Sequence, residues 1–126
     1  MTNSLLLTAM ILVESSDRLH PNGNDLARGA HGERGCLQVR QCVLTDVNKK
    51  FGLNFKMSDM ADRGKCMAVL DCYLYWWATP KRLGRPVTDR DIARIWNGGP
   101  NGWQDAKTLP YWRKVQKKMN QLKRKI

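Results

Sequence analysis

The hydrophobic pattern opens on an apolar run, residues 5–13, that contains one polar residue, Thr8, and ends at one acid, Glu14. Asn3 or Ser4 can cap a helix at this point, and the apolar side chains surround its axis, as in a central core helix. The run has the length of a signal-peptide core, but no basic residue precedes it and no small-x-small cleavage site follows it. It is also too short to span a bilayer as a helix. We therefore predict a buried first helix that ends at Glu14 or Ser15.

The polar segment that follows this helix predicts an irregular lobe. Residues 16–35 are rich in Gly, Asn, Asp and Ser, which favour turns and interrupt regular structure. A small hairpin is predicted near residues 37–39. Apolar residues then recur at three- and four-residue steps from Gln41 to Phe51, which predicts a short amphipathic helix that Gly52 ends.

Three further helices are predicted in the second half of the chain. Ser58 can cap the first of them, and Pro80 can end it. Thr88 begins the sequence TDRD, which resembles a capping box with Asp in place of Glu. The helix capped by Thr88 cannot continue through the glycines and the proline of NGGPNGW, residues 97–103. The predicted bounds are Asp59–Trp77, Asp89–Trp96 and Leu109–Ile126. The chain is thus predicted to form one mainly helical domain, residues 1–126, with one irregular lobe after its first helix.

A net charge of +11 indicates a polyanionic partner or an anionic surface, because positive potential raises the local concentration of anions. Nucleic acid, anionic lipid and the acidic bacterial cell wall all meet this requirement. Seven basic residues and no acid lie in the segment Arg113–Ile126, within a predicted basic helix, residues 110–126. This segment is interpreted either as a solvated helical end or as a contact with an anionic membrane surface. No zinc-finger or RNA-sheet motif is present, so no specific nucleic-acid partner is expected.

Cys36, Cys42, Cys66 and Cys72 form two pairs with the same spacing, and neither pair has the C-x-x-C spacing of common zinc or redox sites. We therefore expect no metal and no cofactor, and we interpret the cysteines as buried free thiols. In an oxidising compartment, a bridge from Cys36 to Cys66 or to Cys72 is the alternative.

Glu14 and Glu33 are the only two glutamates of the chain. A carboxylic acid at the polar end of an apolar helix has a raised pKa, because desolvation disfavours the anion. Such an acid stays protonated near neutrality and can protonate a glycosidic oxygen as the bond to the sugar breaks. Taken alone, however, a glutamate at a helix end is more often a solvated side chain.

Four short segments follow one another along nearly the whole chain: Glu14-Ser15, GERGCLQV at residues 32–39, RIWNGGP at residues 94–100, and TLPYWRKV at residues 108–115. In this order they resemble the motifs of the SLT-type lytic transglycosylases, a family related to goose-type lysozymes. The NGGP form of the third segment is similar to that of phage and secretion-associated members. The resemblance implies a mainly α, lysozyme-like α+β fold whose cleft binds the glycan strand of peptidoglycan.

The resemblance also implies a reaction, the cleavage of the MurNAc–GlcNAc bond with a 1,6-anhydro product. Glu14 would protonate the leaving oxygen and then, as a base, deprotonate the muramyl 6-hydroxyl. Neither water nor a second carboxylate is needed for this route. Residues that the motifs or their chemistry suggest as substrate contacts are Ser15, Gln38, Asn97, Tyr111 and Trp103.

Glu33 leaves the type of reaction open. If Glu33 faces Glu14 across the cleft, it can orient a water molecule, which makes the enzyme a lysozyme-type hydrolase, or endolysin, acting on the same bond. The alternative is an ion pair between Glu33 and Arg34, Arg28 or another nearby base on the surface of the lobe. A basic nucleic-acid-binding or membrane-binding protein is the remaining alternative to an enzyme.

The expected place of action is the periplasm or cell wall, and the chain is expected to be monomeric. Because no signal peptide is recognised, the sequence predicts a phage-encoded protein made in the cytoplasm, or one carried by a virion or a secretion machine. Export would then depend on membrane permeabilisation or on a partner.

Overall fold

The structure, a computed structural model, describes residues 2–125 and is mainly helical. Its six α-helices are α1 (Ser4–Ser15), α2 (Gln41–Phe51), α3 (Arg63–Trp77), α4 (Pro80–Leu83), α5 (Asp89–Gly98) and α6 (Leu109–Arg124). Shorter 3₁₀ helices span Met57–Ala61, Gly102–Gln104 and Ala106–Thr108. Within these residues, two isolated antiparallel bridges join Arg28 to Arg34 and Arg34 to Val39. The predicted mainly helical fold with an irregular lobe is confirmed, and the predicted hairpin is reduced to these two bridges.

The core is built on α1, which packs along α6. The Asn3 side chain accepts a hydrogen bond from the Leu6 N–H at 2.9 Å, so α1 begins where the sequence predicted. Leu6 and Met10 are fully buried at the centre of the helix. Burying each such side chain contributes about 1.5–3 kcal/mol, which explains why the apolar run forms the central helix. In the described part of the chain, no helix is long and apolar enough to cross a membrane.

The inward face of α6 is formed by Tyr111, Val115 and Met119, all of which are buried. This stripe places the Tyr111 ring against the end of α1. α6 ends at Arg124, and the predicted end at Ile126 lies outside the described residues.

α5 begins with the predicted capping box. The Thr88 hydroxyl accepts a hydrogen bond from the Asp91 N–H, and the Asp91 carboxylate accepts one from the Thr88 N–H at 2.9 Å. The helix continues beyond its predicted end at Trp96 and stops at Gly98. A side chain at Gly98 would collide with the Thr108 methyl group, so the glycine permits a close contact between α5 and the segment before α6. The following residue, also a glycine, has a φ of 93° and ends the helix.

The predicted third helix is wrong at its start, because residues 57–61 form a separate 3₁₀ turn. Asp62, rather than Ser58, caps α3, since its carboxylate accepts a hydrogen bond from the Lys65 N–H at 3.0 Å. The backbone of Asp62 is extended, with φ −90° and ψ 118°, and interrupts the predicted helix. Met60 is fully buried and holds the separate turn against the core.

The corner between α3 and α5 is fixed by one arginine. Pro80 follows α3 as predicted, but it also begins the short helix α4. The Arg82 guanidinium on α4 donates to the carbonyl oxygens of Trp77 and Pro100 and to Oδ1 of Asn101. These bonds hold the glycine-rich turn after α5 against the end of α3.

The irregular lobe between α1 and α2 is held in place by polar contacts and by buried side chains. Arg63 on α3 forms an ion pair with Asp25 at 2.6 Å and donates to the Asn22 carbonyl at 3.0 Å. Three residues at the end of the lobe have no exposed surface: Cys36, Leu37 and Val39. The lobe therefore has a fixed position relative to α1 and α3, although it has little regular structure.

The four cysteines carry free thiols. Cys36 and Cys66 are buried as predicted, whereas Cys42 is exposed and Cys72 is half-buried. Across residues 2–125, no group of three or more His, Cys, Asp or Glu side chains is placed to hold a metal ion.

Candidate active site

Glu14 lies in the last turn of α1, where the Tyr111 hydroxyl donates a hydrogen bond to its Oε2 at 3.1 Å. Burial raises the pKa of Glu14 from 4.5 to about 7, in the direction predicted from its position at the end of an apolar helix. Hydrogen bonds from Tyr111 and Trp96 and the charge of Arg40 oppose this rise. The residue keeps part of its surface exposed, so a ligand can reach an acid that is about half protonated at neutral pH.

Tyr111 is fixed by α6 with its hydroxyl group against Glu14. Only 9% of the residue is exposed. Burial raises the pKa of the phenol well above its usual range, so the hydroxyl remains protonated and acts as the donor. Tyr111 therefore stabilises the ionised form of Glu14 more than the neutral form.

The end of α5 and the segment before α2 form the wall next to Glu14. The Trp96 indole N–H donates to the Leu37 carbonyl at 3.1 Å and lies close enough to Glu14 to lower its pKa. The Arg40 guanidinium donates to the Trp96 carbonyl at 3.2 Å. Neither Trp96 nor Arg40 was predicted as a residue of the site. For Trp96 a signal was present, because it is the aromatic residue of the WNGGP motif.

Gln38 lies on the lobe in a conformation that is rare for its residue type. Its φ of 53° is the one positive value among non-glycine residues in the range 2–125. The backbone N–H and the side-chain amide of Gln38 each donate to the Gly35 carbonyl, both at 3.0 Å. Strained backbone of this kind is concentrated at functional sites, so it agrees with the predicted substrate contact.

Glu33 lies beside Gln38, and both side chains approach Gly29, where a Cβ atom would collide with them. The Glu33 carboxylate accepts a hydrogen bond from the His31 N–H at 2.8 Å. Backbone hydrogen bonds hold the pKa of Glu33 below its usual value, and its charge contributes to the raised pKa of Glu14. The two glutamates are thus within electrostatic reach of each other. The alternative of an ion pair with Arg28 or Arg34 is wrong, since no such pair occurs in the described residues.

Ser15 is used for structure. Its buried hydroxyl donates to the carbonyl oxygens of Ile11 and Cys36, at 3.2 and 2.8 Å, and accepts from the Asn24 N–H at 3.0 Å. These bonds join the last turn of α1 to two separate points of the lobe. The geometry therefore favours a structural role for Ser15 over the predicted substrate contact.

Asn97 is exposed in the last turn of α5, immediately after Trp96. Its position at this end of α5 leaves the side-chain amide free to meet a ligand. The predicted substrate contact for Asn97 therefore remains a prediction that the geometry permits.

The predicted stacking residue Trp103 lies elsewhere. The Arg85 guanidinium covers its ring, 5.6 Å from the centroid, and also binds Asp91 in the first turn of α5. Trp96, by contrast, is in the last turn of the same helix. Trp103 is thus directed towards the other end of α5, and a face occupied by a guanidinium is not open to a sugar ring.

The two glutamates differ in protonation state, as the cleavage of a glycosidic bond by general acid catalysis requires. Glu14 is a neutral acid for much of the pH range below 7, whereas Glu33 is ionised. Cleavage of a glycosidic bond by general acid catalysis uses one carboxyl group in each of these states. The acid lies at the end of the core helix of the fold, next to α6.

The structure of Tapes japonica lysozyme is similar to this chain, with a TM-score of 0.71 and 25% sequence identity over 91% of this chain and 89% of the lysozyme. An invertebrate-type lysozyme from Ruditapes philippinarum is 34% identical over 85 residues. That alignment covers 66% of this chain and 58% of the relative's length. No protein-family profile matches the chain. The comparisons support a lysozyme-like family, and they do not support the narrower goose-type or SLT-type branch predicted from the motifs.

Proposed function

We propose that this chain is a lysozyme-type glycosidase that hydrolyses the MurNAc–GlcNAc bond of peptidoglycan, with Glu14 as the general acid. The observation that carries the proposal is the burial of Glu14 against Tyr111, which keeps the acid protonated up to about pH 7. Both similar proteins are lysozymes, which favours hydrolysis over the transglycosylase reaction that the motifs predicted.

In the proposed reaction, neutral Glu14 donates its proton to the glycosidic oxygen as the bond to the anomeric carbon breaks. The Tyr111 hydroxyl then donates to the carboxylate that is left, and so stabilises the anion at the moment when it forms. The oxygen of a water molecule then bonds to the anomeric carbon, and the proton that the water loses restores the neutral form of Glu14.

We propose that Glu33 orients the water molecule that reacts at the anomeric carbon. Its carboxylate is ionised, is held by the His31 N–H, and lies with Gln38 around Gly29 on the lobe beside Glu14. An ionised carboxylate in this place can orient a water molecule and stabilise positive charge on the sugar ring. Gln38 and Asn97 would contact amide or hydroxyl groups of the substrate.

The transglycosylase reaction is the second candidate, and the four ordered motifs favour it. It closes a 1,6-anhydro ring without water, so the products distinguish the two reactions. A phage or secretion-associated origin, and action in the periplasm or cell wall, are narrower proposals that rest on the NGGP turn and on the substrate.

The test is the variant Glu14→Gln, assayed by clearing of purified cell walls. General acid catalysis contributes about 10²–10⁴-fold, so we expect a loss of that size with an unchanged circular dichroism spectrum. Wild-type-like turnover of the variant would contradict the assignment of Glu14 as the general acid.

Mass spectrometry of the products released by the wild-type protein tests the type of reaction. Muropeptides with a reducing end, heavier by one water, support the hydrolase. Anhydro products support the transglycosylase. A salt-sensitive shift of DNA without any wall cleavage would instead support a nucleic-acid-binding protein.

A further inference from the structure

A groove lined by lysines lies beside the candidate catalytic acid. Its volume is about 280 Å³, slightly below the range of about 300–1,000 Å³ that is typical of pockets for drug-sized ligands. One wall is formed by residues near the end of α1, and the other by residues of α6. The residues that line it are Leu12, Val13, Lys114, Lys117, Lys118 and Gln121.

The groove lies next to the pair formed by Glu14 and Tyr111, on the same two helices. Val13 precedes Glu14 in α1. Lys114 and Lys118 are three and seven residues after Tyr111 in α6 and therefore lie on the same side of that helix. With a rise of 1.5 Å per residue, they lie about 5 and about 10 Å further along its axis. The groove therefore lies within a few residues of Glu14 and Tyr111 along both helices.

The positive charge of α6 is not balanced by the protein itself. The helix carries six basic residues and no acid. Among residues 2–125, none of these six side chains forms an ion pair with a carboxylate. Like charges at four-residue spacing, such as Lys114 and Lys118, destabilise a helix. An anionic ligand would remove this repulsion.

The chemistry of α6 favours an anionic peptide over a membrane surface. A helix that lies on a bilayer buries an apolar face in it. In α6 the apolar stripe of Val115 and Met119 is buried in the protein core instead. The groove combines ammonium groups with two aliphatic side chains, Leu12 and Val13, and so fits carboxylates spaced by small apolar groups.

We propose that the groove lined by Lys114, Lys117 and Lys118 binds the carboxylates of the short peptide that muramic acid carries in peptidoglycan. This inference rests on the proposed function, because it assigns the groove to the same substrate. It makes the peptide part of what the protein recognises, in addition to the sugar strand. The lysines would position the strand so that the bond next to a peptide-bearing sugar meets Glu14.

The test compares two glycan substrates, peptide-bearing strands and strands from which an amidase has removed the peptides. The variant Lys114→Gln/Lys118→Gln removes two ammonium groups from the groove. The matched control, Lys123→Gln/Arg124→Gln, removes two charges from the same helix outside the groove. Circular dichroism and thermal unfolding establish that both variants are folded.

For the groove variant we expect the ratio of kcat/KM on peptide-bearing strands to kcat/KM on peptide-free strands to fall by about 2- to 30-fold, through KM. The control variant should keep the wild-type ratio. An equal fall of this ratio in both variants would show that the total positive charge of the helix causes the effect. It would overturn the proposed peptide site in the groove. A wild-type protein that cleaves both strands without preference would overturn the groove but leave the proposed function intact.

Vesicles of phosphatidylglycerol provide the membrane arm of the test. If the groove variant loses vesicle binding while its substrate ratio stays at the wild-type value, the surface is a membrane contact and the proposal is wrong. If the wild-type protein cleaves neither strand, the proposed function is contradicted. The proposed peptide site, which rests on it, is then contradicted as well.

Discussion

The hydrogen bond between Tyr111 and Glu14 determines how the candidate acid titrates. Burial alone pushes the pKa of Glu14 upwards, and the Tyr111 hydroxyl is the first of the groups that hold it back. The bond therefore serves two purposes: it keeps the acid able to lose its proton near neutral pH, and it fixes the direction of the carboxyl group. Both purposes depend on a donor that is buried with the acid.

We predict that Tyr111→Phe shifts the pH profile of activity to higher pH. Without the donor, the pKa of Glu14 rises above about 7, so the protonated and active form persists further into the alkaline range. Turnover should fall by about 10- to 100-fold, because a hydrogen bond to a charged group contributes about 1.5–3 kcal/mol. The profile of kcat/KM against pH is the measurement.

Tyr75→Phe is the control for this change, since Tyr75 is exposed on α3. It should leave both turnover and the profile at wild-type values. An alkaline limb that stays at its wild-type pH in Tyr111→Phe would show that another group sets it.

The residues of the site differ in how far the sequence reveals them. Glu14 and Tyr111 are found from a helix-end acid and an ordered motif. Arg40 reaches the site through the carbonyl of Trp96, 56 positions further along the chain, and no local pattern marks such a contact. The sequence misleads about Trp103, predicted as a substrate contact, for the same reason. The Arg85 side chain that covers its ring is 18 positions earlier in the chain.

At the scale of elements, local signals predict where most helices start. The start of α3 differs from its prediction, and tertiary contacts decide it. α1, α2 and α5 begin where caps and periodicity place them. α3 begins four residues later than its predicted start at Asp59, because Asp62 is a second available cap and Met60 is drawn into the core. The lobe has no periodicity from which its contacts with α3 can be predicted.

We predict that Gly98→Ala destabilises the protein by about 1–3 kcal/mol, although alanine is the better helix former. The added methyl group would collide with Thr108 and separate α5 from the segment before α6. Urea unfolding at constant pH is the measurement.

Gly64→Ala is the matched control within α3. Gly64 is exposed, and the nearest atom to an added Cβ is Oδ1 of Asp62 at 3.3 Å. This change should be neutral or should stabilise by up to about 1 kcal/mol. Equal effects of the two substitutions would contradict the close contact at Gly98.

At the scale of the whole molecule, the candidate acid lowers stability when it is ionised. The folded protein binds the Glu14 proton with a pKa of about 7, whereas the usual value is 4.5. The folded state therefore holds more protons than the unfolded state between these values, and stability falls as pH rises through them. The shift corresponds to about 3 kcal/mol, which is fully lost above pH 7.

Glu14→Gln should consequently unfold at the same urea concentration as the wild-type protein at pH 3, where Glu14 is neutral in both states. At pH 8 the variant should be more stable by up to about 3 kcal/mol. Denaturant curves at the two pH values measure this difference. A variant that is less stable than the wild type at pH 8 would contradict the burial of the ionised acid.

The Ser15 hydroxyl has a mechanical consequence for the cleft. It ties the residue after the candidate acid to the Cys36 carbonyl and to the Asn24 N–H, so the acid and the lobe that carries Glu33 and Gln38 form one rigid body. A hinge between them would have to break these bonds. The candidate acid and the lobe are therefore expected to keep their relative positions in any movement of the cleft.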